Sequence, residues 1–483
     1  MRRRTLLLTA ALTTALLTSL PATPASAASA KHADDFNGDG YRDLVVAAPE
    51  ATVSGKGYAG AVVVLYGSKS GPSAARKQFV SQSSPGVAGV AEAYDHFGQS
   101  VASADLDADG YADLLVGTPY EDVGASKDRG TVTVLWGGAK GLKGSALLPT
   151  AGPSDGDGGC IYGVGLSAVQ PKAKPGAAQV AVAGWCATRH LTGPFTRAGK
   201  PKANSIDMDT ASIDDTVLGD LDGDGRPDRV EITVGLSSHP DGGIYVNPDR
   251  GLEEELLPTD GDNATIGDVN RDGFGDLVIG DPSDTTVDGT PRGGTGHKGG
   301  QIVIWPGGAN GIDRTAAPIV IHQDTAGVPG AAEAGDSFGA DVSVADTDGD
   351  GYGDLAVGVP GEKIGSARLA GSVVLIPGGP AGPTGAGSRV ITQNSPGVPG
   401  VVEREDRFGA TVRLAEHTKD GRPELVVGAP SEDAPGDNGE MGGIWVFKGT
   451  KTGPSLSSSY SVMGKAAGLS TARYNHWSSV LAP

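Results

Sequence analysis

The sequence predicts an all-β fold, a seven-bladed propeller. Three observations point to it: a repeated unit of four short strand patterns, an excess of turn-forming residues, and a C-terminal tail that resembles a strand missing from the first unit. Glycine supplies 78 of 483 residues and proline 32. That glycine share is roughly twice the usual value near 7%, so tight turns must be frequent. The repeat is visible directly. Ser84-Pro85-Gly86-Val87 leading to Asp95-His96-Phe97-Gly98 is matched by Ser395-Pro396-Gly397-Val398 leading to Asp406-Arg407-Phe408-Gly409, and by Gly327-Val328-Pro329-Gly330 leading to Asp336-Ser337-Phe338-Gly339.

Each unit reads in a fixed order. After Phe-Gly comes a short alternating strand, then an acidic loop, then an apolar run ending in Gly-x-Pro or a near equivalent, such as Leu114 to Pro119 or Leu355 to Pro360. A third strand such as Ala61 to Tyr66 or Gln301 to Trp305 follows, then a Gly-rich hairpin and a weaker fourth strand. Apolar second and third strands suit sheets covered on both faces by neighbouring blades. The units are anchored near residues 35, 105, 170, 220, 268, 346 and 416, the third being degenerate. The first unit begins at its acidic loop without a Phe-Gly strand. The tail Asn475 to Ala482 resembles Phe97 to Ala102 and is expected to supply that strand, closing the ring and removing a sheet edge.

Five loops carry Asp-x-Asp/Asn-x-Asp-Gly-x-x-Asp: Asp35, Asn37, Asp39 and Asp43; Asp105, Asp107, Asp109 and Asp113; Asp220, Asp222, Asp224 and Asp228; Asp268, Asn270, Asp272 and Asp276; Asp346, Asp348, Asp350 and Asp354. Several carboxylates within nine residues repel one another unless a cation gathers them, and a flexible all-oxygen set suits Ca2+ better than Mg2+. The glycine at position six permits a sharp turn, and the residue after it (Tyr41, Tyr111, Arg226, Phe274 and Tyr352) offers a backbone carbonyl. An EF-hand shares the start of this pattern but needs a bidentate Glu at position twelve and flanking helices. Here position twelve is Val46, Val116, Ile279 or Val357 inside a strand pattern, Glu231 being the exception. About five Ca2+ ions are therefore expected, acting mainly to rigidify turns. A sixth loop, Glu416, Thr418, Asp420 and Glu424, has poorer ligands, and the third unit's counterpart, Gln170 to Gln179, has no acid.

Residues 1–30 have the charged start, apolar run and Ala-x-Ala ending of a secretory signal peptide, with cleavage expected after Ala27 or Ala30. The arginine cluster leaves both the general and the twin-arginine routes open. Residues 31–483 are then expected to form one propeller, secreted or wall-associated and monomeric. No later segment offers the ~18 apolar residues a membrane span needs. A formal charge of −20 argues against nucleic-acid partners. Cys160 and Cys186 can pair as a disulfide in an oxidising compartment or remain as buried thiols.

Phe97-Gly98, Phe338-Gly339, Phe408-Gly409, the acidic loops and the Gly-x-Pro endings together resemble the FG-GAP repeats of integrin α-subunit head domains, of a kind also found in exported bacterial proteins. The resemblance implies calcium sites on one face and partner docking on the other. The partner face would comprise Tyr120-Glu121-Asp122, Glu362-Lys363, Glu432-Asp433 and the Pro-Gly-Val segments. The function it implies is a non-catalytic extracellular module binding a protein or glycan, as in cell adhesion. The alternative is a polysaccharide- or lipid-acting hydrolase or lyase with a site built from propeller loops. Gly335-Asp336-Ser337-Phe338-Gly339 fits G-x-S-x-G, but sister units place His96 or Arg407 at the serine, so it reads as the residue before Phe-Gly. The eight histidines, among them His32, His96, His190, His239 and His476, read as scattered. Trp136, Trp305 and Trp445 read as packing residues at the third strands.

Overall fold

The computed structural model describes residues 30–482 except 151–158, 208–211, 234–241, 248–254, 285, 288–289, 292–295, 434–440 and 471–474. The expected signal peptide, apart from Ala30, and His239 lie outside the described residues.

Seven four-stranded antiparallel sheets form the blades. Blade 2 shows the plan in its simplest form: Val101–Ala104, Asp113–Thr118, Thr131–Leu135 and Ser145–Leu147, each paired with the next. The second and third strands are buried on both faces, as in Leu44–Ala48 and Ala61–Leu65, and the fourth is partly exposed. Continuous apolar runs result because each sheet is sandwiched between two others; hydrophobic clusters span adjacent blades. Every first strand packs against the first strands of both neighbouring blades, so these strands line the centre of a closed ring. Among the described residues, no helix is long and apolar enough to cross a membrane.

The ring closes as expected. Val480–Ala482 pairs antiparallel with Leu44–Ala48, with Val46 opposite Leu481, and becomes the first strand of blade 1. Just before it, Trp477 takes the place that Phe97, Phe338 and Phe408 hold elsewhere. Its backbone N–H donates to Met441 O, as Phe408 N–H donates to Ala370 O. The indole is fully buried between blades 7 and 1, and Nε1–H donates to Val46 O at 3.3 Å. Tyr162 does the same for blade 3. The preceding residue is left-handed each time: His96 (φ 56°), Ile161 (φ 38°), Ser337 (φ 59°), Arg407 (φ 57°) and His476 (φ 41°). Ser337 therefore belongs to a turn that every complete copy repeats.

Cys160 and Cys186 are joined by a disulfide, with Cα atoms 5.0 Å apart. It ties the chain entering blade 3 to the loop between that blade's second and third strands, near Gln179–Val182 and Thr188–Thr192.

Candidate metal centres

The acidic loops join first to second strands and share one hydrogen-bond scheme. Position one accepts from the glycine N–H at position six: Asp35 from Gly40 (2.7 Å), Asp220 from Gly225 (3.0 Å), Asp346 from Gly351 (2.9 Å). Position five accepts from position seven, as in Asp39 from Tyr41 (3.0 Å) and Asp272 from Phe274 (2.9 Å). Position six is left-handed throughout, and so is position four: Gly38, Ala108, Gly223, Arg271, Gly349 and Lys419. That second reversal was not apparent in the sequence, because only three of the six residues are glycine.

Position nine departs from the rest. Its carboxylate sits at the head of the buried second strand and clasps two backbone N–H groups from opposite sides of the blade. Asp113 accepts from Leu106 (2.9 Å) and from Gly137 (2.8 Å), which lies beyond the third strand. Asp43 does so with Phe36 and Gly67, Asp276 with Val269 and Gly307, and Asp354 with Thr347 and Gly378. The burial that makes this clasp rigid also penalises the charge. Desolvation pushes Asp43 and Asp113 up to about 8 and Asp276 up to about 6, against the opposing backbone hydrogen bonds.

Carboxylate oxygens of Asp105, Asp107 and Asp113 lie within 4.8 Å of one another, as do those of Asp220, Asp222 and Asp228 and of Asp346, Asp348 and Asp354. The loops of blades 1 and 5 carry Asn37 and Asn270 at position three, so fewer charges meet there. Asp35 Oδ1, Asp107 Oδ1 and Asp220 Oδ1 are buried and accept no hydrogen bond. A buried oxygen without a donor is costly, and a hard cation is the partner that fits an all-oxygen set of this kind. The chain is thus able to hold a metal at these loops, with positions one, three, five and nine as candidate ligands.

The blade 7 loop retains more than its sequence suggests. Glu416, Asp420 and Glu424 also converge within 4.8 Å, and Glu424 keeps the position-nine clasp on His417 (2.7 Å) and Gly449 (3.3 Å). The longer side chains fold back far enough to compensate for the substitution of Glu for Asp. Blade 2 has an addition: Arg197, from blade 3, pairs with both Asp107 and Asp109 and lies over the Trp136 ring at 5.1 Å. Nothing in the repeat pattern could have disclosed that arginine, since it comes from the degenerate unit.

The loops also join blades. Ala112 N–H in blade 2 donates to Asp35 O (3.1 Å), Gly275 in blade 5 to Asp220 O (3.2 Å), and Gly353 in blade 6 to Asp268 O (2.9 Å). The Tyr111 ring lies so close over Gly38 that a Cβ there would come within 2.5 Å of Cε1. Whatever rigidifies a loop therefore rigidifies a junction.

On the opposite face, three residues expected to meet a partner are engaged internally. Glu121 accepts from Gln82 Nε2 (2.7 Å), Glu362 from Gln323 (2.6 Å), and Glu432 from Gln393 (2.8 Å), each time across a blade boundary. Burial pushes Glu121 up to about 7 and Glu432 up to about 8. The sequence signal was present: each glutamine stands two residues before the Ser or Thr that opens Ser-Pro-Gly-Val or, after Gln323, Thr-Ala-Gly-Val. Aromatic and apolar side chains are also exposed on this face, beside charged ones such as Lys127 and Arg404. Tyr58 stacks on Tyr94 at 5.2 Å, His96 lies between Tyr58 and Tyr120, and Tyr94, Val90 and Val401 are 65, 71 and 65% exposed.

Seven four-stranded blades with acidic first-to-second connections define a propeller of the repeat class. Residues 32–65, 97–135 and 338–376, spanning the acidic loops and strands two and three of blades 1, 2 and 6, match the FG-GAP repeat model, so the chain carries FG-GAP repeats at three positions of a seven-bladed β-propeller. It is 31% identical over 188 residues to phosphatidylinositol-glycan-specific phospholipase D of Bos taurus, covering 38% of this chain and 20% of that protein. To the Homo sapiens enzyme of that name it is 34% identical over 105 residues, covering 22% and 11%. The chain thus spans a fifth or less of these curated relatives. Among solved structures, BBS1N in complex with ARL6DN is similar over 73% of this chain and 77% of that one, with 12% identity and a TM-score of 0.38.

Proposed function

We propose that the chain is a secreted, monomeric, calcium-loaded binding module, in which Ca2+ ions at the acidic loops hold the ring together and a protein or glycan outside the cell docks on the opposite face. The observation carrying the calcium reading is the position-nine carboxylate: it is buried, clasped by backbone and surrounded by further acids, an arrangement that lowers its free energy most when a divalent ion replaces the proton it would otherwise hold. Positions one, three, five and nine and the position-seven carbonyls of Tyr41, Tyr111, Arg226, Phe274 and Tyr352 are the proposed ligands. The adhesion role rests on the cluster of exposed Tyr94 and Tyr120 with half-buried Tyr58 and His96, since aromatic faces suit sugar rings and interface anchors alike. Binding to a glycan and matrix-protein panel is expected to drop when Tyr94 and Tyr120 become alanine, with folding unchanged. Retained binding in that variant would remove the aromatic face from the account.

The phospholipase relatives favour one second reading, a hydrolase acting on lipid or glycan. Incubation with phosphatidylinositol-glycan and with soluble polysaccharides, followed by product analysis, separates the two. Cleavage in either would replace the binding-module reading.

A further inference from the structure

The acidic loops are not the only place where ligating side chains converge. Contrary to the reading of the histidines as scattered, His297 and His322 lie face to face, with ring centroids 3.6 Å apart and an interplanar angle of 4°. Asp324 joins them, and ligand atoms of the three lie within 4.8 Å of one another. We infer that His297, His322 and Asp324 form a transition-metal site, of the Zn2+ class, on the face opposite the acidic loops and chemically distinct from them.

The fold brings the three together through strand register. Gln301–Trp305 and Ile319–Ile321 are the third and fourth strands of blade 5, and Ile302 pairs with Ile321. His297, shortly before the third strand, therefore meets His322, immediately after the fourth. The connection carrying His297 is longer than its counterparts in blades 1, 2 and 6, which explains why comparison of repeats did not reveal it.

Chemistry selects the metal. His297 Nδ1–H donates to Lys298 O at 2.9 Å, which fixes the tautomer and leaves the Nε2 lone pair to ligate; Nε2 stands 3.7 Å from Asp324 Oδ2. A backbone carbonyl on the second ring nitrogen is the usual companion of a metal-bound histidine. His322 Nδ1 is buried without a hydrogen-bond partner. Parallel rings with centroids 3.6 Å apart cannot both aim in-plane nitrogen lone pairs at one ion, so the His322 ring turns out of the stack to ligate while His297 stays tied to Lys298 O. The donor set is two imidazole nitrogens and one carboxylate oxygen. Borderline-soft Zn2+ accepts such a set with water completing the shell, whereas Ca2+ prefers oxygen alone.

The backbone on both sides is held in place. His322 N–H donates to Thr325 Oγ1 (3.0 Å), and Thr325 N–H returns to His322 O (2.9 Å). Gly300 N–H donates to His297 O (2.9 Å), and Asp284 holds Gly299 N–H (2.6 Å). Asp324 keeps Oδ1 on Ala332 N–H at 3.1 Å. Ligands on fixed turns lose little entropy when metal binds.

The test is a calorimetric titration of tag-free protein with zinc chloride at neutral pH in excess calcium chloride, which keeps the acidic loops occupied. One equivalent should bind. His297→Ala and His322→Ala should each weaken that event by about 100-fold or more, on the scale of losing a ligand from a three-ligand site. Cobalt chloride should give a visible d–d spectrum in the wild type that both variants lack. Circular dichroism of each variant verifies its fold, and Asp324→Asn, at an exposed position, provides a third ligand deletion should either histidine variant misfold. Absence of a one-equivalent event in the wild type, or equal zinc binding by wild type and folded variants, would overturn the proposal.

Discussion

Replacing Trp477 with alanine is expected to destabilise the protein far more than its position near the chain end suggests. The indole is fully buried where blade 7 meets blade 1, among Leu44, Val46, Val426 and Ile444. A tryptophan buries about 150–250 Å2, which at about 25 cal/mol per Å2 amounts to ~4–6 kcal/mol, and Trp→Ala substitutions in cores cost about 3–5 kcal/mol. Loss of the Nε1–H bond to Val46 O adds about 1 kcal/mol. The strand that follows pairs with blade 1 through only Val480–Ala482, so it has little to hold it once the anchor is gone. Urea unfolding followed by far-UV circular dichroism should give a loss of about 4 kcal/mol. Trp477→Phe should recover most of it, because Phe97, Phe338 and Phe408 fill the equivalent sites. Trp185→Ala, at a residue 47% exposed, should cost under about 1 kcal/mol. A Trp477→Ala loss no larger than that of Trp185→Ala would refute closure by the tail as a source of stability.

Three other outcomes follow from the same geometry. Asp113→Asn should cost about 1–3 kcal/mol even in chelator, since an amide cannot accept from both Leu106 and Gly137; an unchanged chelated midpoint would show the clasp to be unimportant. Burial, then Asp406, raises Glu432 from 4.5 to about 8, so the neutral form is native and its contribution is complete below about pH 4.5 and lost as pH rises through about 8. Glu432→Gln, still able to accept from Gln393, should therefore melt above the wild type at alkaline pH and close to it in acid, as thermal scans across that range would reveal. Glu121→Ala should weaken the blade 1–2 boundary by about 1–3 kcal/mol by leaving Gln82 without its partner, measured in the same urea assay.

The blade count, strand order and closure could be read from sequence because propellers repeat their instructions. Phe-Gly, the acidic loop and the apolar pair of strands recur, so even the degenerate third unit was placed by its Tyr162-Gly163. What could not be read depends on contacts between copies. The Gln–Glu latches cross blade boundaries, Arg197 enters blade 2 from blade 3, and position nine shows its clasp only when the glycine beyond the third strand is brought beside it. The His297–His322 pair was hidden for the opposite reason: it belongs to one blade's enlarged connection and has no counterpart to compare.

Calcium counting with unfolding tests the central claim most directly. Protein freed of metal and dialysed to equilibrium against radioactive calcium should take up about five ions per chain, and saturating calcium should raise the thermal midpoint, which chelator should return to its starting value. Binding of no calcium, or binding that leaves the midpoint unmoved, would contradict a ring held together by metal at its acidic loops.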